Sequence, residues 1–143
     1  MRILIGLIVV LAALMLYVRL APTDTALWHK RPIAAAPGDT LTEGSFLAAR
    51  RITAPATQIL AAVEGAAMAT PRTRLIAGSV AEGMMTFQTR SRLWGFPDQT
   101  TVAIEGDLVM IYGRLRFGKA DLGVNKARVE SWLAALGPLT EPL

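Results

Sequence analysis

Sixteen apolar residues in unbroken succession, Ile3 to Val18 (ILIGLIVVLAALMLYV), follow Arg2 at the start of the chain. A small soluble core has no room for such a run and an aqueous surface does not tolerate it, which leaves a membrane span or a secretory leader. As a helix the run covers ~24 Å, and Arg19, Leu20 and Ala21 extend it to ~28 Å, against ~30 Å of hydrocarbon. Arg19 can snorkel to the headgroups. A cleaved leader has a shorter apolar stretch ending in small residues; here the run ends in YVRLAP, and Arg19 with Pro22 makes a poor cleavage site. Residues 1–21 are therefore read as an uncleaved signal anchor that meets the membrane through residues 3–21. Arg2 and the amino terminus hold the short end inside, whereas Arg19, Lys30 and Arg31 pull the other way. A very short tail most simply stays in the cytoplasm. That makes a single-pass protein of the cell membrane, with its soluble domain on the periplasmic side.

About 120 residues remain, enough for one hydrophobic core. Of 15 basic and 11 acidic residues in the chain, Arg2 and Arg19 flank the anchor, so 13 basic face 11 acidic in the remainder. This near balance offers no broad basic face, and no nucleic-acid partner is expected. The basic set is nevertheless lopsided: 12 of the 15 are Arg, the residue preferred where a planar fork must meet carboxylate or phosphate. With no cysteine there is no disulfide framework, thiolate nucleophile or Cys-based metal site. His29 is the single histidine and has no second candidate ligand near it in sequence, so no metal or other cofactor is expected.

Residues 22–44 hold Pro22, Pro32, Pro37 and Gly38 and read as a tether, leaving residues 45–143 as the folded domain. Phe46 to Ile52 is a possible first strand. Thr53 then caps a predicted helix whose Ile59, Leu60, Val63 and Ala67 share one side. Four extended runs follow, Arg72–Ser79, Met84–Leu93, Gln99–Glu105 and Leu108–Phe117, joined by short links with turn chemistry. Asn125 is placed to cap a last helix bearing Val129, Trp132, Leu133 and Leu136 at helical spacing, stopped by Gly137 and Pro138. The expected fold is α+β: an antiparallel meander of four to five strands with two helices packed on one face, behind a single N-terminal transmembrane helix.

GRLRFGKADLGVN, Gly113 to Asn125, comes within one residue of the phosphate-loop pattern GxxxxGK[ST], with Ala120 where the magnesium-binding hydroxyl belongs. Gly113 lies inside a strand, no helix can begin at Lys119, and the topology is antiparallel, so no nucleotide is expected. The same residues carry a different message. Arg72 with Arg74, Arg90 with Arg92 and Arg114 with Arg116 are spaced by two, so each pair shares a face. Antiparallel order brings all three pairs to one rim. That rim also receives Asp98, Lys119, Asp121 and the start of the last helix at Asn125 and Arg128. The candidate binding set is Arg90, Arg92, Asp98, Arg114, Arg116, Lys119, Asp121, Asn125 and Arg128. Its partner would be an anionic ligand, a lipid headgroup or an envelope protein, bound without being transformed. Plain alternatives stand beside it: solvated arginines contribute only ~0–1 kcal/mol per exposed ion pair, or buried carboxylates serve as a structural clip. Two functional alternatives are a hydrolase-like enzyme using Asp98 or Asp121 beside an Arg clamp, and a lipid carrier of helix-grip type with Met84, Met85, Met110 and Trp132 lining an apolar cavity.

From SRLWGFPDQTTV to IYGRLRFGKADLGVNKARVESWLAAL, and at ALWHKRP, the chain resembles domain-of-unknown-function family 1499, small bacterial proteins without an established activity. The family's C-terminal signature is an Arg- and Ser-rich strand followed by Gly, Asp, Gly, Asn and Arg. On that match Arg114, Arg116, Gly118, Asp121, Gly123, Asn125 and Arg128 hold signature positions. The resemblance covers most of the soluble part and implies an anchored, extracytoplasmic domain. Gly113, Leu115 and Ala120 stand where the family pattern carries Ser, so no hydroxyl nucleophile or phosphate ligand is available from those positions.

Overall fold

A computed structural model describes residues 1–143. The apolar run forms α1 (Arg2–Leu20), a helix long and apolar enough to cross a membrane, with a mean hydropathy of 2.7 and only 6% of that stretch buried by the rest of the molecule. Within α1 only Val18 is buried, and Ala21 just beyond it is buried as well. The domain thus grips the end of the helix and leaves the remainder uncovered. A one-turn helix, α2 (Thr25–Trp28), follows, started by Asp24, whose carboxylate accepts the Ala26 N–H at 2.9 Å.

Six strands form one antiparallel sheet: β1 (Gly38–Thr42), β2 (Ser45–Arg51), β3 (Thr73–Ser79), β4 (Met84–Arg90), β5 (Pro97–Glu105) and β6 (Leu108–Arg114), in the spatial order β1-β2-β6-β5-β4-β3. From β3 to β6 the chain meanders as expected. β2 lies beside β6 because α3 (Ala56–Ala69) carries the chain across the sheet to its far edge before β3 begins. The sheet has one strand more than the sequence suggests. Residues 38–42, expected as part of the tether, pair with β2 from Gly38↔Ala49 to Thr42↔Ser45. Four of the five side chains in this edge strand are exposed, so it has no apolar alternation by which a strand is recognised.

Helices α3 and α4 (Val124–Leu136) cover one face of the sheet. Ile59, Leu60, Val63 and Ala67 from α3, with Val129, Trp132 and Leu136 from α4, close on Phe46, Ala48, Met85, Phe87, Val102, Val109 and Ile111. Trp132 meets Phe87 edge to face at 5.5 Å, and its indole N–H donates to Thr70 Oγ1 at 2.9 Å, satisfying the one polar atom of this large buried ring. The four residues expected to line an apolar cavity do not share one. Met85 and Trp132 fill this core, whereas Met110 lies on the opposite face with Ala49 and Ala103, and Met84 packs against that group. Adjacent strand residues point to opposite sides, which separates Met84 from Met85.

Both helix starts depart from expectation. Thr53 does not cap α3; Pro55 occupies the N-cap, and Thr53 Oγ1 donates instead to the Pro138 carbonyl at 2.7 Å, tying the C-terminal segment to the sheet. Asn125 does not cap α4 either. It sits one residue inside the helix and is fully buried, while Gly123 is the N-cap with φ 82°, a left-handed conformation suited to glycine. In β6, Gly113 leaves the space that α4 occupies: a Cβ there would meet Asn125 Oδ1 at 2.9 Å and Val129 Cγ2 at 3.2 Å. Gly113→Ala is expected to destabilise the fold by about 1–3 kcal/mol through overpacking, measured as a fall in Tm; an unchanged Tm would contradict the close contact of α4 with β6.

Candidate functional site

Register brings the arginine pairs together. Thr73 pairs with Thr89, Arg90 with Pro97, and Gln99 with Arg114, while the Arg90 N–H donates to the Arg72 carbonyl at 3.0 Å. All three pairs therefore lie at the rim where β3 and β5 begin and β4 and β6 end. Arg72, Arg74, Arg90 and Arg92 surround an open cavity of about 550 Å³ that has no hydrophobic lining residue. The fifth guanidinium comes from the last turn of α1: Arg19 lines the same cavity and lies against Gly95, where an added Cβ would fall 2.9 Å from its Nε. Arg72 Nε donates to the Arg90 carbonyl at 3.0 Å, Arg74 spans Gln88 Oε1 with two N–H groups at 3.3 and 3.1 Å, and Arg90 Nη1 donates to the Gly95 carbonyl at 2.9 Å. None of the five is paired with a carboxylate. Partial burial pushes the pKa of Arg90 down, and repulsion from Arg74, Arg116 and Arg19 adds to it.

Arg114 and Arg116 point to the same rim but perform another task. Arg74, Gln88, Gln99 and Arg114 form a row of neighbours across four strands on the face away from α3 and α4. Residues 22–34 cross this face. Arg114 sits between the rings of Trp28 and Tyr112, 5.2 and 5.0 Å from their centroids, and donates to the Trp28 carbonyl at 2.8 Å and to Thr101 Oγ1 at 2.5 Å. Arg116 donates to Thr23 Oγ1 and to the Pro22 carbonyl at 2.9 and 2.6 Å, and Gln88 Nε2 donates to the same Thr23 hydroxyl at 2.8 Å. His29 Nδ1 and Thr86 Oγ1 share a hydrogen bond of 2.8 Å. The first part of the expected tether is thus a strap fastened to the sheet.

The remaining candidates gather under the start of α4. Asp98 is 7% exposed and lies 3.8 Å from Arg128 Nη2, with Asn125 Nδ2 3.4 Å from its Oδ2. Arg128 Nη1 also donates to Asn125 Oδ1 at 2.8 Å. Asp121, two residues before the Gly123 N-cap, accepts the N–H groups of Gly123 and Asn125 on its two oxygens at 3.0 and 2.9 Å. Burial pushes the Asp98 carboxyl up to about 6 against the pull of Arg128. Backbone and side-chain hydrogen bonds hold Asp121 below the ordinary range despite its partial burial. This group clips α4 to β5. Lys119 is exposed and contacts neither cluster.

The nine candidates therefore separate into two cavity residues (Arg90, Arg92), two strap residues (Arg114, Arg116), a four-residue clip (Asp98, Asp121, Asn125, Arg128) and Lys119 alone. Arg72 and Arg74 were legible as rim residues from their spacing. Arg19 carries no such signal, because its sequence neighbours mark it only as the flank of an apolar run.

The family model described as protein of unknown function (DUF1499) matches residues 25–136. No curated protein matches the chain. The match spans most of the strap, the sheet and both domain helices, and takes in the whole of the clip, while Arg19, Pro22 and Thr23 lie outside it.

The clip gives a pH prediction. Asp98 titrates near 3.8 when unfolded and at about 6 in the fold, so the folded state holds its proton more tightly. Its contribution to stability is fully present below about 3.8 and is lost as pH rises through about 6. Asp98→Asn, which keeps the shape and no longer ionises, is expected to gain about 1–3 kcal/mol relative to the parent chain between pH 4 and pH 7. Parallel Tm-against-pH curves for the two proteins would refute it.

Proposed function

The chain belongs to the DUF1499 family, whose description assigns no activity, and from the site alone we propose that it is a membrane-anchored binding module that holds an anion in the arginine cavity at the sheet rim. One observation carries this: five guanidinium groups, Arg19, Arg72, Arg74, Arg90 and Arg92, line one concavity with no carboxylate paired to any of them. Arginines kept for solubility stand apart or alternate with acids, because like charges repel when gathered. Gathered and uncompensated, they suit a phosphate or carboxylate, which accepts charge-assisted, often bidentate, hydrogen bonds from such forks. The anchoring role rests on α1, which the domain leaves bare and which a bilayer would cover.

Acid–base catalysis by Asp98 or Asp121 has less support. Neither carboxylate lines the arginine cavity, Asp98 is shut under α4, and both oxygens of Asp121 are occupied in holding that helix. The clip explains both residues without a reaction.

The full chain in a nonionic detergent, titrated with inorganic pyrophosphate at low and high salt, tests the proposal. Binding is expected to weaken with salt and to fall about ten- to a hundredfold in Arg90→Glu, Arg92→Glu, as expected when charge-assisted hydrogen bonds are replaced by repulsion. Because Arg90 also bonds the Gly95 carbonyl, Arg92→Glu and Arg74→Gln should be measured singly. No binding by the parent chain, or binding untouched by all of these changes, would reject the anion site.

A further inference from the structure

The rim that holds the arginine cavity also carries large exposed apolar side chains. Leu93 and Trp94, between β4 and β5, are 71% and 44% exposed, and Leu122, between β6 and α4, is 97% exposed. Trp94 stacks on Phe96 with ring centroids 6.4 Å apart, and Phe96 meets Phe117 at 6.5 Å, so the two rim turns share an aromatic seam. Arg116 lies over Phe117 at 4.9 Å while it holds the Pro22 carbonyl, which binds that seam to the end of α1. Leu122 has φ 54°, a left-handed backbone that disfavours any residue with a Cβ.

The end of α1 lies beside this surface. Val18 and Ala21 are buried against the domain, and Arg19 rests on Gly95, the residue after Trp94. A bare apolar helix, exposed Leu and Trp at its foot, and unpaired guanidinium groups beside them match the layers of a bilayer surface: acyl chains, interface and phosphates. Elsewhere on the domain Ile33, Leu41 and Met68 are exposed, without an arginine cavity beside them.

We propose that the rim formed by residues 91–96 and 115–124 docks on the bilayer leaflet from which α1 emerges, with Leu93, Trp94 and Leu122 at the acyl–headgroup boundary and the phosphate of an anionic phospholipid in the arginine cavity. This rests on the anion-binding reading of the cavity and adds the source of the anion. Arg19 then has two functions, ending the membrane span and completing the headgroup site. The domain lies against the membrane instead of hanging from a free tether.

The chain has no cysteine, so single-cysteine variants can be spin-labelled without background. Leu93→Cys, Trp94→Cys and Leu122→Cys, with Glu82→Cys in the β3–β4 turn at the opposite end as reference, are placed in the full chain in nanodiscs of phosphatidylcholine with phosphatidylglycerol. Power saturation is expected to find the three rim labels accessible to oxygen and the Glu82 label accessible to an aqueous nickel chelate. Native mass spectrometry after extraction into nonionic detergent is expected to find phosphatidylglycerol retained, and its retention reduced about tenfold in Arg90→Glu, Arg92→Glu. Rim labels as open to nickel as the Glu82 label would overturn the docking, even if pyrophosphate still binds. Oxygen-accessible labels with lipid retention unaffected by charge reversal would overturn the lipid assignment. Loss of pyrophosphate binding in detergent is a separate outcome that removes the cavity reading on which both depend.

Discussion

Arg114 fastens the segment that follows the apolar helix to the face of the sheet. Its guanidinium, stacked between Trp28 and Tyr112, donates to the Trp28 carbonyl and to Thr101 across the strap. Burial pushes its pKa down, yet an arginine stays charged under such a shift, and cation–π contact with two rings offsets part of the lost hydration. With Arg116 and Gln88 holding Pro22 and Thr23, the chain between α1 and the sheet has a set path. Without that path Arg19 would have no reason to be in the cavity.

The two faces of the sheet are closed by different physics. Toward α3 and α4 the contact is apolar, centred on Trp132 and Phe87, and tolerates few changes in volume. Toward residues 22–34 it is a polar row in which Thr86 meets the His29 ring, Gln88 the Thr23 hydroxyl, and Thr101 and Arg114 the Trp28 carbonyl, with Gln99 buried among them. The row is not fully satisfied: both polar atoms of the Gln99 carboxamide and the Arg114 Nε have no protein partner. Unpaired buried polar atoms cost free energy, and the helix-covered face has one as well, Thr100 Oγ1.

The clip and the cavity divide the charged residues by role. Asp98, Asp121, Asn125 and Arg128 spend their hydrogen bonds on one another and on the start of α4. Arg19, Arg72, Arg74, Arg90 and Arg92 remain without acids. Their mutual repulsion opposes the folded state, and an anion bound there, as proposed, would relieve it and link binding to stability.

Local chemistry announced much of the architecture. Sixteen apolar residues specified α1, period-two and helical patterns specified β2 to β6 and both domain helices, and the antiparallel order followed from links too short for crossovers, so the gathering of Arg72, Arg90 and Arg114 at one rim was legible in advance. β1 was not, because an edge strand that buries nothing has no periodicity. Nor were the strap, the Asp98–Arg128 pair of the clip, or Arg19 in the cavity. Each of these depends on contacts between residues far apart in sequence: Arg114 with Trp28, Asp98 with Arg128, Gly95 with Arg19. Pattern along a chain records which side of an element is apolar, whereas the partner of a guanidinium or a carbonyl is chosen only when packing brings the two within hydrogen-bonding distance.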